Sequence, residues 1–362
     1  MSDDLPANPP VPESAEAPRH RRRPRYRGKN PRKFHEKYKE LNPDRYSADV
    51  AKVIASGKTP VGTHRPIMVR EILEVLAPKP GDIAVDCTLG FGGHSQEILK
   101  RILPGGRLFG LDVDPIEQPR TEARLRANGL GPDVFQVRHM NFAGLAKLIA
   151  HENLTGGVDL ILADLGVSSM QIDNPDRGFT YKTDGPLDLR LNPQRSPSAA
   201  DLVSKLQAAK LATLFRENSD EPRADELAAA IVAARQRQPI TRTAQLADVI
   251  RELFSSARSA SSKELVDDTI RRVFQALRIA ANDEFGALNN LLRVLPSCLK
   301  PGGRVAFLTF HSGEDRRVKH AFQAGLDTGT YSSISQGILR PSADERRDNP
   351  RSSSAKLRWA VT

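Results

Sequence analysis

Cysteine is nearly absent from this 362-residue chain, which has only Cys87 and Cys298. They stand far apart and outside any metal-ligand spacing. A disulfide scaffold and a cysteine zinc site are therefore excluded, no metal is expected, and a reducing, cytoplasmic setting is predicted. Long apolar runs are missing too. None approaches the roughly 18 residues that a membrane-spanning helix needs, so no membrane association is expected. The N-terminus carries Asp3, Asp4, Glu13 and Glu16 without an apolar core, which argues against a secretory leader or an acid-poor transit peptide. Walker, zinc and hydrolase-elbow patterns do not occur, and there is no internal repeat.

Positive charge is present in excess and unevenly placed. Residues 19–39 hold eleven Lys or Arg and one acid, Glu36, which equals the net charge of +10 for the whole chain. Residues 1–18 are Pro-rich and acidic. Together residues 1–60 read as a disordered extension, acidic first and basic after. The basic part, interleaved with Tyr26, Phe34 and Tyr38, reads either as a solubilising tail or as an RNA-contacting arm.

The rest of the chain is organised around residues 86–95, Asp-Cys-Thr-Leu-Gly-Phe-Gly-Gly-His-Ser. Ile83-Ala84-Val85 leads in and Gln96-Glu97-Ile98-Leu99 leads out, which predicts a strand, a glycine loop and a helix start. Glycine lets backbone approach a ligand closely. Free N–H groups at the new helix N-terminus favour polar or anionic atoms. Gly90, Gly92 and Gly93 do not complete G-x-G-x-x-G, because Ser95 stands where the last glycine would be. That spacing disfavours a dinucleotide and favours a nucleoside without pyrophosphate, with S-adenosylmethionine first. Residues 107–112 form a second predicted strand, ending in Asp112, a carboxylate suited to ribose hydroxyls.

Alternation continues. Helices are predicted at 67–76, 116–129 and 144–152, and strands at 134–138 and 158–164, the last a nearly unbroken apolar run typical of a central parallel strand. This order implies a doubly wound α/β sheet. Its ligands belong outside the carboxyl ends of the strands, where Gly90, Asp112, Phe142 and Asp164 all fall. Loop-like segments follow with Ser168, Ser169, Gln171, Arg177, Asp188 and Arg190. From residue 198 to 279 only helical spacing is found, with Ser198 and Thr243 as expected N-caps. The sheet then resumes with a helix at 282–299, a turn at 300–303 and a strand at 304–310. His311 lies at its mouth beside Glu314 and Asp315, placed to touch substrate. The chain ends in an expected edge strand.

Taken together, residues 86–95, 164–169, 177–179, 184–190, 239–243, 274–279, 310–315 and 349–351 resemble, in order, the motifs of the RsmH (MraW) methyltransferases. These methylate the exocyclic N4 of a cytosine in the decoding region of 16S ribosomal RNA. The resemblance runs from about residue 64 to 362. It implies a class I, Rossmann-like methyltransferase sheet divided as 61–172 and 281–362, with a loop and helical insertion at 173–280. It implies S-adenosylmethionine at Gly90, Gly92, Gly93, His94, Asp112, Phe142, Asp164 and Gln171. Asp164 is the expected hydrogen-bond acceptor for the amino group, with Ser168 and Ser169 positioning the base. Arg177, Asp188, Arg190 and His311 are expected at the RNA, within the small ribosomal subunit. Phe91, Asn192, Gly313 and residues 218–222 depart from the family pattern. Sequence leaves open a homodimer, a methyltransferase acting on DNA or another RNA, and an RNA-binding protein with a vestigial sheet.

Overall fold

The computed structural model describes residues 66–195, 197–255 and 263–362. The extension predicted at residues 1–60 and its basic arm lie outside these residues. Strands β1 (Ile83–Asp86), β2 (Arg107–Asp112), β3 (Phe135–His139), β4 (Val158–Asp164), β5 (Leu299–Thr309), β6 (Ser333–Ile334) and β7 (Lys356–Val361) form one sheet, ordered β3-β2-β1-β4-β5-β7-β6. The first five run parallel, and β7 is antiparallel to both β5 and β6. The order reverses between β1 and β4, so the crevice outside their carboxyl ends is the expected ligand site.

Side chains alternate across each strand, so the sheet builds two cores. One face carries Val85, Phe109, Ile161, Val305 and Phe307. It is covered by α11 (Glu284–Cys298) through Leu288 and Leu291, and by α12 (Ser312–Asp327) through Val318 and Phe322. The other face carries Ala84, Leu108, Leu160, Leu162 and Ala306. It is covered by α1 (Val69–Leu76) through Ile72 and Leu76, and by α2 (Gly93–Ile102) through Ile98 and Leu99. Both faces are apolar because helices cover both, which is why these strands lack polar alternation. Helices α3 (Glu117–Ala127) and α4 (Leu145–His151) complete the layers.

The insertion has its own core. After the short α5 (Ser169–Asp173) come α6 (Ala199–Lys205), α7 (Ala208–Ser219), α8 (Ala224–Arg237), α9 (Thr243–Ser255) and α10 (Lys263–Asn282). They pack Phe215, Leu227, Ile231, Leu246, Ile250 and Leu277 together. Ser198 caps α6 in a reciprocal box with Asp201, as its sequence position predicts. Thr243 does not cap α9. Its hydroxyl accepts the Gly185 N–H at 3.0 Å, and Asp184 Oδ1 takes the Ala244 N–H instead. The neck of the insertion is a strap at residues 188–191. Leu189 sits there in the left-handed region at φ 62 with its side chain buried. Its N–H donates to the Arg177 carbonyl. Asn282, at the end of α10, holds the Leu189 carbonyl and the Leu191 N–H, each at 2.7 Å.

Two predicted features change form. The turn at 300–303 is absorbed into β5 as a bulge, because the pairing with β4 jumps from Leu299 to Arg304 and Gly302 takes φ 75. β7 is not an edge, since the two-residue β6 pairs along its free side. A very short outer strand limits the unpaired backbone available to another chain.

Candidate active site

The first wall is the loop from β1 to α2. Asp86, fully buried at the strand end, accepts the Ser95 hydroxyl at 2.6 Å and the Thr88 N–H at 3.1 Å. Burial raises its pKa, with Ser95, His94 and Thr88 opposing. These bonds fasten the first turn of α2 to the sheet. Gly90 and Gly92 hold φ 48 and 70, a region that other residues rarely enter. A Cβ at Gly92 would lie 2.9 Å from Leu125, and one at Gly93 2.3 Å from Pro66. One at Gly90 would meet only the Thr88 carbonyl, at 3.7 Å. Gly92 and Gly93 thus admit neighbouring packing, whereas the space beside Gly90 is open. Phe91 lies under the Arg124 guanidinium at 3.8 Å.

The second wall is Asp112 at the end of β2. Oδ2 accepts the Gly90 N–H at 2.9 Å and Oδ1 the Asp114 N–H at 2.8 Å. Burial pushes its pKa up to about 6 against the pull of those two donors. Phe142 follows β3 in a short 3-10 turn, half-buried against the core.

The third wall is Asp164 at the end of β4. Its N–H donates to Thr88 Oγ at 2.7 Å, tying the two strands at the point where the sheet order reverses. Its carboxylate keeps 27% exposure, and Oδ2 lies 3.5 Å from His94 Nδ1. Burial raises Asp164 to about 6, with His94 opposing and Asp86 and Glu314 adding to the rise. His94 is 7% exposed, and its Nε2 lies 2.9 Å from the Ile67 carbonyl.

The remaining predicted residues divide. Ser168 caps α5: its hydroxyl accepts the Gln171 N–H, and its own N–H donates to Gln171 Oε1 at 2.8 Å. Ser169 is the first residue of that helix. Gln171 Nε2 donates to Asp114 at 2.8 Å. Arg177 stands behind the crevice rather than in it. It is buried, with Nη1 on Asp114 at 2.8 Å and Nη2 on the Arg190 and Leu191 carbonyls at 3.2 and 2.8 Å. Asp188 and Arg190 form a half-buried pair at 2.7 Å on the strap. His311 has both ring nitrogens buried without a hydrogen-bond partner, although Nε2 approaches Glu314 Oε1 at 3.2 Å, off the hydrogen-bond direction. Burial pushes Glu314 up, but His311, Arg278 and the Phe310 N–H more than offset this and leave it below its usual range. Glu284, His311 and Glu314 come together in a group of the metal-ligand type. Arg278 already holds both Glu284 oxygens, at 2.8 and 2.9 Å, and so supplies a cation there.

Asp114 is the residue that sequence reading missed. It is fully buried; Oδ1 accepts the Ile116 and Glu117 N–H groups, and Oδ2 takes Gln171 and Arg177. The signal was present: Asp114-Pro115 before a helical stretch is an N-cap followed by proline. The Ile67 carbonyl had no signal, because a backbone acceptor leaves no mark on residue type.

A carboxylate at each of two strand ends, both unusually basic, flanks an open glycine turn. This fits S-adenosylmethionine: ionised Asp112 suits ribose hydroxyls, and ionised Asp164 suits a sulfonium. Among the described residues no helix is long and apolar enough to cross a membrane.

The MraW methylase family model matches residues 62–362. Ribosomal RNA small subunit methyltransferase H 1 of Lachnoclostridium phytofermentans is 47% identical, covering 97% of this chain and 95% of the relative. Its namesake from Agathobacter rectalis is 48% identical over 96% and 99%. Among solved structures, an rRNA methylase from Streptococcus thermophilus is 10% identical, with TM-score 0.35, over 81% of this chain and 93% of that one. With the Gly90 turn, the two strand-end acids and a match spanning both halves of the sheet and the insertion between them, the chain belongs to the MraW methylase family.

Proposed function

We propose that this cytoplasmic enzyme transfers a methyl group from S-adenosylmethionine to the exocyclic N4 of a cytosine in the decoding region of 16S ribosomal RNA, within the small ribosomal subunit. The observation that carries this reading is the placement of Asp112 and Asp164 either side of the Gly90 turn, on a chain about 47% identical to small-subunit rRNA methyltransferases. When bound, S-adenosylmethionine supplies a methyl group on a positively charged sulfur. Gly90, Gly92, Gly93 and His94 form the loop and helix start beside it. Asp112 takes the ribose hydroxyls, Phe142 lies by the adenine and Asp164 faces the sulfonium end. Gln171 acts from behind by fixing the loop after Asp164.

The cytosine amino nitrogen is a weak nucleophile because its lone pair is delocalised into the ring. Asp164, aimed at one N–H, localises that pair as charge develops, an electrostatic and positional effect. Ser168 and Ser169 steady the base, and Asp188 and Arg190 meet the RNA around it, whereas His311, with both ring nitrogens buried beside Glu314, stands behind that surface. The base must leave its stack to reach Asp164.

Mass spectrometry of 16S rRNA digests with and without the gene tests the reading. The N4-methyl mark is expected to vanish in the knockout and to return on complementation. Persistence of the mark would reject the substrate assignment.

Cofactor affinity should also depend on pH. Asp112 and Asp164 have pKa values near 6, so they are mostly ionised at pH 7.5 and mostly protonated at pH 5. The ligand is held by the ionised forms, so affinity is lost as pH falls through 6. Between pH 7.5 and pH 5, the dissociation constant should rise about tenfold for each group. Calorimetry showing a pH-independent constant would remove both acids from the cofactor site.

A further inference from the structure

We propose, on the basis of the cofactor reading above, that Thr121 is a positioning residue for S-adenosylmethionine. Its hydroxyl holds the Gly90–Phe91 peptide in the direction that leaves the Phe91 N–H free to donate to the cofactor.

Residues 89–92 form a β-turn, closed by the Gly92 N–H on the Leu89 carbonyl at 2.6 Å. That bond uses only the outer groups of the turn. The carbonyl and N–H of the central peptide, Gly90–Phe91, take no part in it, so the turn alone does not decide which way this peptide faces. Gly90 loosens the choice further, because it has no Cβ and the widest backbone freedom. The decision comes from α3, 31 residues on. Thr121 Oγ1 donates to the Gly90 carbonyl at 2.6 Å, and Thr121 is only 2% exposed. Three residues further along the same helix, the Arg124 guanidinium donates to the Phe91 carbonyl.

In a trans peptide the C=O and the N–H point opposite ways. A Gly90 carbonyl drawn to α3 therefore turns the Phe91 N–H away from α3. Among the described residues nothing accepts that N–H. The space next to it is open, since a Cβ on Gly90 would find only the Thr88 carbonyl, at 3.7 Å. On the preceding peptide, the Gly90 N–H donates to Asp112 Oδ2 at 2.9 Å. Thr121 thus fixes a turn that carries one free donor and braces the acid assigned to the ribose. Flipping the central peptide would replace that donor by an acceptor.

Two variants separate the hydroxyl from packing. Thr121→Ala and Thr121→Ser both lose the methyl that lies against Gly92, and only the serine keeps the hydroxyl. Calorimetry with S-adenosylmethionine should give a dissociation constant about three- to tenfold higher in Thr121→Ala, the worth of one net hydrogen bond, and close to normal in Thr121→Ser. In Thr121→Ala the KM for the cofactor should rise by a larger factor than kcat falls. Alanine is the better helix former, so a role confined to the stability of α3 would rank the two variants the other way. Equal dissociation constants in the two variants would overturn the proposal. The tie is also read without ligand, in protein carrying 13C-carbonyl glycine and 15N-phenylalanine, where Gly90-Phe91 and Gly178-Phe179 are the only coupled pairs. The Gly90 carbonyl signal should move in Thr121→Ala and less in Thr121→Ser, and one signal position shared by all three proteins would overturn the tie. Absence of binding heat in the unaltered protein would reject the cofactor reading alone, since the labelled spectra need no ligand.

Discussion

Asp164→Asn is expected to lower kcat by about a hundred- to a thousand-fold, the scale seen when one group aimed at developing charge is removed. The amide fills the same space and keeps the Thr88 contact, which comes from the backbone N–H. It loses two things. A neutral amide oxygen is a weaker acceptor for the amino hydrogen, and it cannot take the proton that the nitrogen must shed. Single-turnover methylation of small-subunit RNA at saturating cofactor separates this from a binding defect. Turnover within tenfold of normal, with cofactor bound, would remove Asp164 from the chemistry.

Breaking the buried ion pair behind the crevice should have the largest effect on stability. Arg177→Met leaves Asp114 fully buried without its cation, while the Arg190 and Leu191 carbonyls lose their donor. Removing one partner of a buried pair costs about 3–5 kcal/mol, because the other charge stays desolvated. Urea unfolding should show that loss in the single variant. Neutralising the stranded acid as well, Arg177→Met with Asp114→Asn, should recover part of it, since no charge is then buried and the amide oxygen still accepts the Ile116 and Glu117 N–H groups. A loss below about 1 kcal/mol in the single variant would mean that Asp114 finds water or another donor. Cofactor affinity should fall as well, because Asp114 also donates its N–H to Asp112 and orders Gln171.

Much of this fold is legible in the sequence because its physics is local. The apolar run Val158–Asp164 and the glycine-ended turn at residues 86–95 declare a buried parallel strand and a loop whatever the remainder does. Ser198 with Asp201 three residues on declares a helix start. What stayed hidden depends on partners distant in the chain. Arg177 sits in a loop-like segment rich in charge, and nothing local separates an RNA-facing arginine from one that spans 63 residues to reach Asp114. Thr243 has the composition of a cap, yet Gly185, 58 residues away, claims its hydroxyl. The glycines of the loop after β1 look alike in sequence. Only the neighbours Pro66 and Leu125 reveal that Gly92 and Gly93 are crowded by packing while the space beside Gly90 is open.

The strap at the base of the helical insertion bears on how far the inserted helices can move. Arg177 and Asn282 lie at the entrance and exit of the inserted segment, and both grip the same turn around Leu189. A lobe tied at its root on both sides has less freedom to swing like a jaw than one joined by bare loops. The inserted helices are therefore expected to keep one setting against the sheet, because Arg177 and Asn282 would both have to release the Leu189 turn before that setting could change.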